Sequence, residues 1–198
     1  MLHLRQGVQD DGPLLAKLIL LSADTLLPYL FGSSAAALEY LEQASRHQDG
    51  QYSALRHRVA VSNNEVIGCM SLWHDDMPDG FRDATVQSLT DYLDVEQLAH
   101  IVVANQTLGA IFKAPTEHEL CIGHLAVAPD WQRKNVGSKL IAYAQAQAKA
   151  LNKTHLVLDA DIAKTSALGF YQRHGFEIVR RYKHEPTDQR FARLALAL

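Results

Sequence analysis

The residues with the clearest chemical meaning are Gln132-Arg133-Lys134-Asn135-Val136-Gly137. They lead from an apolar run, Leu125-Ala126-Val127-Ala128-Pro129, into a stretch with helical spacing. A helix start offers backbone N–H groups with no partner inside the helix, and the aligned peptide dipoles add partial positive charge there. Together these make an anion site, above all for phosphate. Gly137 would let the backbone come close to a pyrophosphate, while Arg133, Lys134 and Lys139 add formal positive charge. Other site chemistry finds less support. None of the ten histidines forms a His-x-x-x-His pair, and His118 and His124 lack a matching cysteine or carboxylate cluster, so no metal is expected. No Ser/His/Asp arrangement is recognisable by spacing, and no second glycine-rich loop occurs.

The elements that must position this loop follow from periodicity. Leu2 to Gln6 alternates as a first strand, and Asp10-Asp11-Gly12-Pro13 then starts a helix carrying Leu14, Leu15, Leu18, Ile19 and Leu21. Ser33-Ser34 opens a second helix, with Leu38 and Leu41 recurring before Gly50. Two short apolar runs between Tyr52 and Trp73 flank Asn63-Asn64, which predicts a hairpin because asparagine tolerates positive φ. Residues 74–113 break the strand pattern. Pro78-Asp79-Gly80 marks a turn, and Val86, Leu89, Leu93 and Leu98 recur at helical spacing between Thr85 and Asn105. Downstream the spacing predicts a strand over Leu120–Val127, a helix from Asn135 to Leu151 and a strand over His155–Ala160. A short helix from Thr165 to Gly175 and strands over Phe176–Tyr182 and Phe191–Leu198 follow. The result is an α/β (α+β) fold with a mixed sheet, antiparallel at its end.

Composition bounds the function. The 198 residues suit one domain, 1–198, since no Pro/Gly/Ser-rich linker or repeat divides them. A net charge of −3 argues against a nucleic-acid binder. No run of about 18 apolar residues predicts a membrane span, and the N-terminus has no secretory pattern, so a cytoplasmic location is expected. Cys69 and Cys121 sit in apolar runs and read as buried reduced thiols. The charges are uneven. Residues 128–198 carry twelve Lys/Arg against six Asp/Glu, and residues 74–100 carry one Arg against seven acids. A basic part favours a phosphorylated cofactor, and an acidic part a cationic partner.

Two blocks, LAVAPDWQRKNVGSKLIAYA from Leu125 to Ala144 and SALGFYQRHGF from Ser166 to Phe176, resemble the GCN5-related N-acetyltransferase (GNAT) family. The likeness is strong over 119–182, the expected acyl-CoA-binding core, and loose before it. The family's loop reads Arg/Gln-x-x-Gly-x-Gly/Ala; here Gln132 and Gly137 hold the outer places, but Asn135 stands where the first glycine is usual. The resemblance implies a mostly antiparallel central sheet flanked by helices, with 74–113 as a helical insertion between the third and fourth strands. It implies acetyl-CoA as co-substrate, held by Leu125, Ala126, Val127, Gln132, Arg133, Lys134, Asn135, Val136, Gly137, Ser138 and Tyr171.

The implied reaction is acetyl transfer to a primary amine of a small molecule or peptide, by direct attack while both substrates are bound. Tyr171 stands where the family often has a tyrosine that protonates the leaving thiolate, chemistry suited to a phenol with an ordinary pKa near 10. A backbone N–H of the strand Leu125–Val127 would meet the developing oxyanion. Many relatives place a glutamate base where Cys121 and Gly123 stand. Glu119 shares their face by period-two counting and is the candidate base, with Glu117, His118 and His124 as alternatives. His124 should face away from Leu125 and reads as structural. Lys164 replaces a usual cofactor-contacting asparagine, so that contact is not carried over. The acidic segment suits a cationic acceptor. A second copy of the chain is a candidate partner. A non-catalytic acyl-CoA-binding module and a transferase for longer acyl groups are the competing functions.

Overall fold

The computed structural model describes residues 2–198. Seven strands among them form one sheet: β1 (His3–Gln6), β2 (His57–Ser62), β3 (Glu65–Trp73), β4 (Glu119–Val127), β5 (His155–Asp161), β6 (Glu177–His184) and β7 (Gln189–Ala197). Their order is β1-β2-β3-β4-β5-β7-β6, mostly antiparallel, with β4 and β5 as a parallel pair. Helices α1 (Gly12–Ser22), α2 (Leu26–Phe31) and α3 (Ser34–Ala44) follow β1. Helices α4 (Phe81–Tyr92) and α5 (Val95–Ile111) stand between β3 and β4, α6 (Val136–Ala150) follows β4, and α7 (Thr165–Arg173) follows β5. No helix among the described residues is long and apolar enough to cross a membrane. The backbone divides into two compact units. One holds the chain up to Ser71, Met77–Asn105 and His124–Leu140; the other holds Leu72–Asp76, Gln106–Gly123 and Ile141–Leu198.

In the first unit the expected hairpin forms between β2 and β3, pairing Ser62 with Glu65 across Asn63 and Asn64. Both asparagines have positive φ, 50° and 65°, as a two-residue turn that follows the twist of the strands requires. Helices α1 and α3 bury Leu15, Ile19, Tyr40 and Leu41 completely. Each such side chain contributes on the order of 2 kcal/mol. Tyr40 is a junction: its ring stacks on Phe31 at 4.6 Å, meets Tyr52 at 5.8 Å, and its hydroxyl bonds Ser88 Oγ of α4 at 2.8 Å. The single helical stretch expected over 85–105 is two helices. Leu93 is extended (φ −101°, ψ 144°), and Asp94 starts α5 by a reciprocal cap: Gln97 N–H donates to Asp94 Oδ1 at 2.8 Å, and Asp94 N–H to Gln97 Oε1 at 3.0 Å. The short helix α2 has no counterpart in the sequence reading, because six residues show too little periodicity.

In the second unit β5 pairs with β7 along its whole length, from His155–Ala197 to Asp161–Phe191. With β4 it pairs only through Glu119, Leu120 and Cys121. Beyond the last residue of α7, Gly175 has a φ of 87° that lets Phe176 N–H turn back to Tyr171 C=O at 3.1 Å, the cap expected of a glycine there. Beneath lie Leu120, Leu156, Leu194 and Phe176, all buried.

Candidate cofactor and catalytic residues

The alternation of β4 breaks at His124. Leu120 and Ile122 are buried in turn, then Gly123, His124 and Leu125 are all half-buried before Ala126 is buried again. His124 has a φ of 46°, a left-handed value rare for a residue with a β-carbon. Period-two counting therefore fails across residues 123–125. The kink is held on several sides. Cys69 Sγ donates to His124 C=O at 3.2 Å, and the imidazole lies 5.5 Å from the Tyr52 ring and 5.9 Å from that of His57. Ser22 Oγ is 3.4 Å from His124 Nδ1. The Nε2 atom of each histidine is shut off from solvent. Burial pushes His57 down to about 4 and His124 to about 3, so both are neutral. The structural reading of His124 from sequence had no view of this cluster, because Ser22, Tyr52 and His57 are remote in the chain.

Beyond the kink, Leu125–Val127 run to a tight approach against β3. A β-carbon on Gly68 would stand 3.1 Å from both Ala126 O and Val136 Cγ1, so the glycine lets the strand and the first turn of α6 close on β3 without either giving way by a few tenths of an ångström. Ala128 N–H donates to Ile67 C=O at 2.9 Å and fixes the strand end. A short turn over Pro129–Trp131 then feeds the loop, and Gln132 Nε2 bonds Val127 C=O at 3.3 Å.

The loop is left-handed at two residues, Arg133 (φ 59°) and Asn135 (φ 62°). Asn135 thus stands where a glycine is usual and adopts a glycine's conformation, which asparagine tolerates better than most residues. Lys139 N–H donates to Asn135 C=O at 3.1 Å, so Asn135 opens α6 and the N–H groups of Val136 and Gly137 precede that bond. Val136, 1% exposed, anchors the turn. Gln132, Arg133, Lys134 and Asn135 are exposed, Gly137 and Ser138 half-buried. The Lys134 ammonium lies 5.0 Å from the Trp131 ring centroid, which holds its charge beside the turn. The first unit therefore brings Leu125, Ala126, Val127 and Gln132 to Ser138 into one strand–turn–helix.

Tyr171 and Glu119 belong to the second unit. Tyr171 is buried on α7 between Phe170 and Phe176, with ring centroids at 5.3 and 5.8 Å. Burial pushes its phenol up to about 12, so it stays protonated and able to donate at neutral pH. Among the described residues its hydroxyl has no hydrogen-bond partner. Glu119 is occupied: its Oε2 accepts Thr116 N–H at 2.9 Å and lies 3.3 Å from Arg193 Nη2. Arg193 also pairs with Asp159 at 3.1 Å and donates to Lys113 C=O at 3.1 Å. Asp159 accepts the Tyr182 hydroxyl at 2.5 Å and is raised by burial. Spacing could not foresee this network, since residues 113, 119, 159, 182 and 193 come from four strands and a loop. Cys69 and Cys121 are free thiols, and burial pushes both up to about 12.

Residues 97–178, less than half of the chain, match the model of the acetyltransferase (GNAT) domain family. The fold is similar to that of a solved acetyltransferase (TM-score 0.70, 19% identity, 98% of each chain covered). It is also similar to an N-acetyltransferase from Staphylococcus aureus Mu50 (TM-score 0.68, 17% identity, 98% of this chain and all of that one). A third likeness is to a ribosomal-protein-alanine N-acetyltransferase from Brucella melitensis (TM-score 0.58, 14% identity, 99% of each). No curated protein matches by sequence. At these identities the structural likeness speaks for the fold, and the domain match speaks for the class. The segment 97–178 is thus similar to the GNAT acetyltransferase domain, and the whole chain shares its fold with solved acetyltransferases.

Proposed function

We propose that the protein transfers an acetyl group from acetyl-CoA to a primary amine of a small molecule or peptide, by direct attack in a ternary complex. The observation that carries the reading is the left-handed loop ending at Asn135 on the open first turn of α6. It supports a pyrophosphate cradle from the N–H groups around Asn135–Ser138, with the charges of Arg133, Lys134 and Lys139 adding attraction. Leu125, Ala126 and Val127 offer main chain to the pantetheine arm and one N–H to the oxyanion. Tyr171, neutral and with a spare hydroxyl, suits the acid that returns a proton to the thiolate. The exposed acids Asp79, Asp83, Asp91 and Asp94 support a cationic acceptor.

The base is the open role. Glu119 shares one carboxylate oxygen between Arg193 and Thr116 N–H, so that oxygen is already engaged within the chain. That occupation also favours a second reading, an acyl-CoA-binding module without turnover. The test combines binding and chemistry. Calorimetry should detect coenzyme A binding, Gly137→Glu should abolish it with the circular dichroism spectrum unchanged, and thiol release from acetyl-CoA should appear with one or more amines of a panel. Unchanged affinity in Gly137→Glu would remove the loop from the site. Tight binding without thiol release on any amine would establish the module.

A further inference from the structure

Helix α5 turns an apolar face to solvent. Val95 is 83% exposed, Val102 59% and Val103 63%, and Ala99 and Ala110 are exposed on the same side. The opposite side is apolar too, with Ile101 and Ala104 buried, so the helix is apolar on both faces. A helix with that pattern is normally covered on both. From Gln97 to Phe112 it carries no charged residue except His100 when protonated, whereas a solvent-facing helix usually shows charges. Gly109 lies on the outer face, and a β-carbon there would meet nothing within 4 Å. The chain's own packing gives no reason for this residue, the poorest helix former after proline.

The charges that do flank the face lie at its two ends: Glu96 in the first turn of α5, and Lys113 just past its last residue, both exposed. We propose that a second copy of this chain covers the face, with α5 packed antiparallel on α5 about a two-fold axis between Val102 and Val103. In that register Val102 faces Val103, Ala99 faces Gln106, Val95 faces Ala110 and Glu96 faces Gly109. The absent side chain at Gly109 leaves room for Glu96 to reach Lys113 one turn on. The antiparallel arrangement sets acid against base at both ends and opposes the two helix dipoles. A parallel pair would set Glu96 against Glu96. The contact is independent of the proposed chemistry.

Sedimentation equilibrium on the full chain, from about 1 to 100 micromolar, tests it. The wild type should be a dimer over that range. Val102→Glu, which brings two carboxylates together at the axis, should weaken association about a hundredfold with an unchanged circular dichroism spectrum. Glu96→Lys should weaken it less, and combining it with Lys113→Glu should restore it. A wild type that stays monomeric, a dimer indifferent to Val102→Glu, or a double variant no tighter than Glu96→Lys would each overturn the proposal.

Discussion

Lowering the pH from 7 to 5 should cost this protein stability through two buried imidazoles, His57 and His124. In the unfolded chain both titrate near 6.5; in the folded chain burial holds them at about 4 and about 3. The unfolded state therefore binds more protons below pH 6.5, and stability falls as pH drops through that value and on towards the folded pKa values. At pH 5 the folded form keeps both rings neutral while the unfolded form has protonated most of them. The difference between pH 7 and 5 is about 2 kcal/mol for each ring, or about 4 kcal/mol for the pair. That is a large part of the roughly 5–15 kcal/mol typical of a domain. Asp11 and Asp49 do not obscure the window, because their arginine partners, outweighing burial, hold them below the ordinary carboxylate range, and Asp159, raised by burial, acts in the opposite sense but equally in every variant compared. Buried His184 titrates in the same sense and contributes equally to every variant compared.

The assay is urea denaturation at pH 7, 6 and 5 for the wild type, His57→Gln and His124→Asn. Asparagine suits position 124 because it tolerates the left-handed φ. Each variant should start less stable at pH 7 and lose only about half as much on acidification, about 2 kcal/mol. A wild type whose stability is flat between pH 7 and 5 would refute the buried neutral pair. Variants with the wild-type slope would do so as well.

Two further substitutions bear on the candidate site. Tyr171→Phe should lower kcat by about 10²–10⁴-fold, the usual range for a proton-transfer group, with coenzyme A affinity little changed; an unaltered rate would return Tyr171 to the core. Asn135→Gly should leave the melting temperature and coenzyme A affinity near wild type, whereas Asn135→Ala should cost about 1 kcal/mol in thermal unfolding, because alanine resists the φ of 62°. Equal behaviour of the two would show that the left-handed conformation carries no energetic weight.

Local chemistry determined much of this protein. The Asn63-Asn64 turn, the Gly175 cap and the apolar stripes of α1 and α6 each rest on residues close in the chain, so spacing reveals them. The strand–loop–helix from Leu125 to Ala144 is legible for the same reason, whereas the left-handed φ with which Asn135 fills a glycine's place is seen only in the structure. Tertiary structure decided the rest. Period-two counting on β4 fails at His124 because Cys69, Tyr52 and His57 hold a left-handed residue there. Glu119 reads as an available carboxylate until Arg193, 74 residues away, is brought against it. The outer face of α5 looks like ordinary apolar periodicity in sequence, since only packing reveals which of its two apolar sides has no cover. A spacing rule sees neighbours within a turn or a strand; burial, ion pairing and exposure are set by residues that the fold alone makes neighbours.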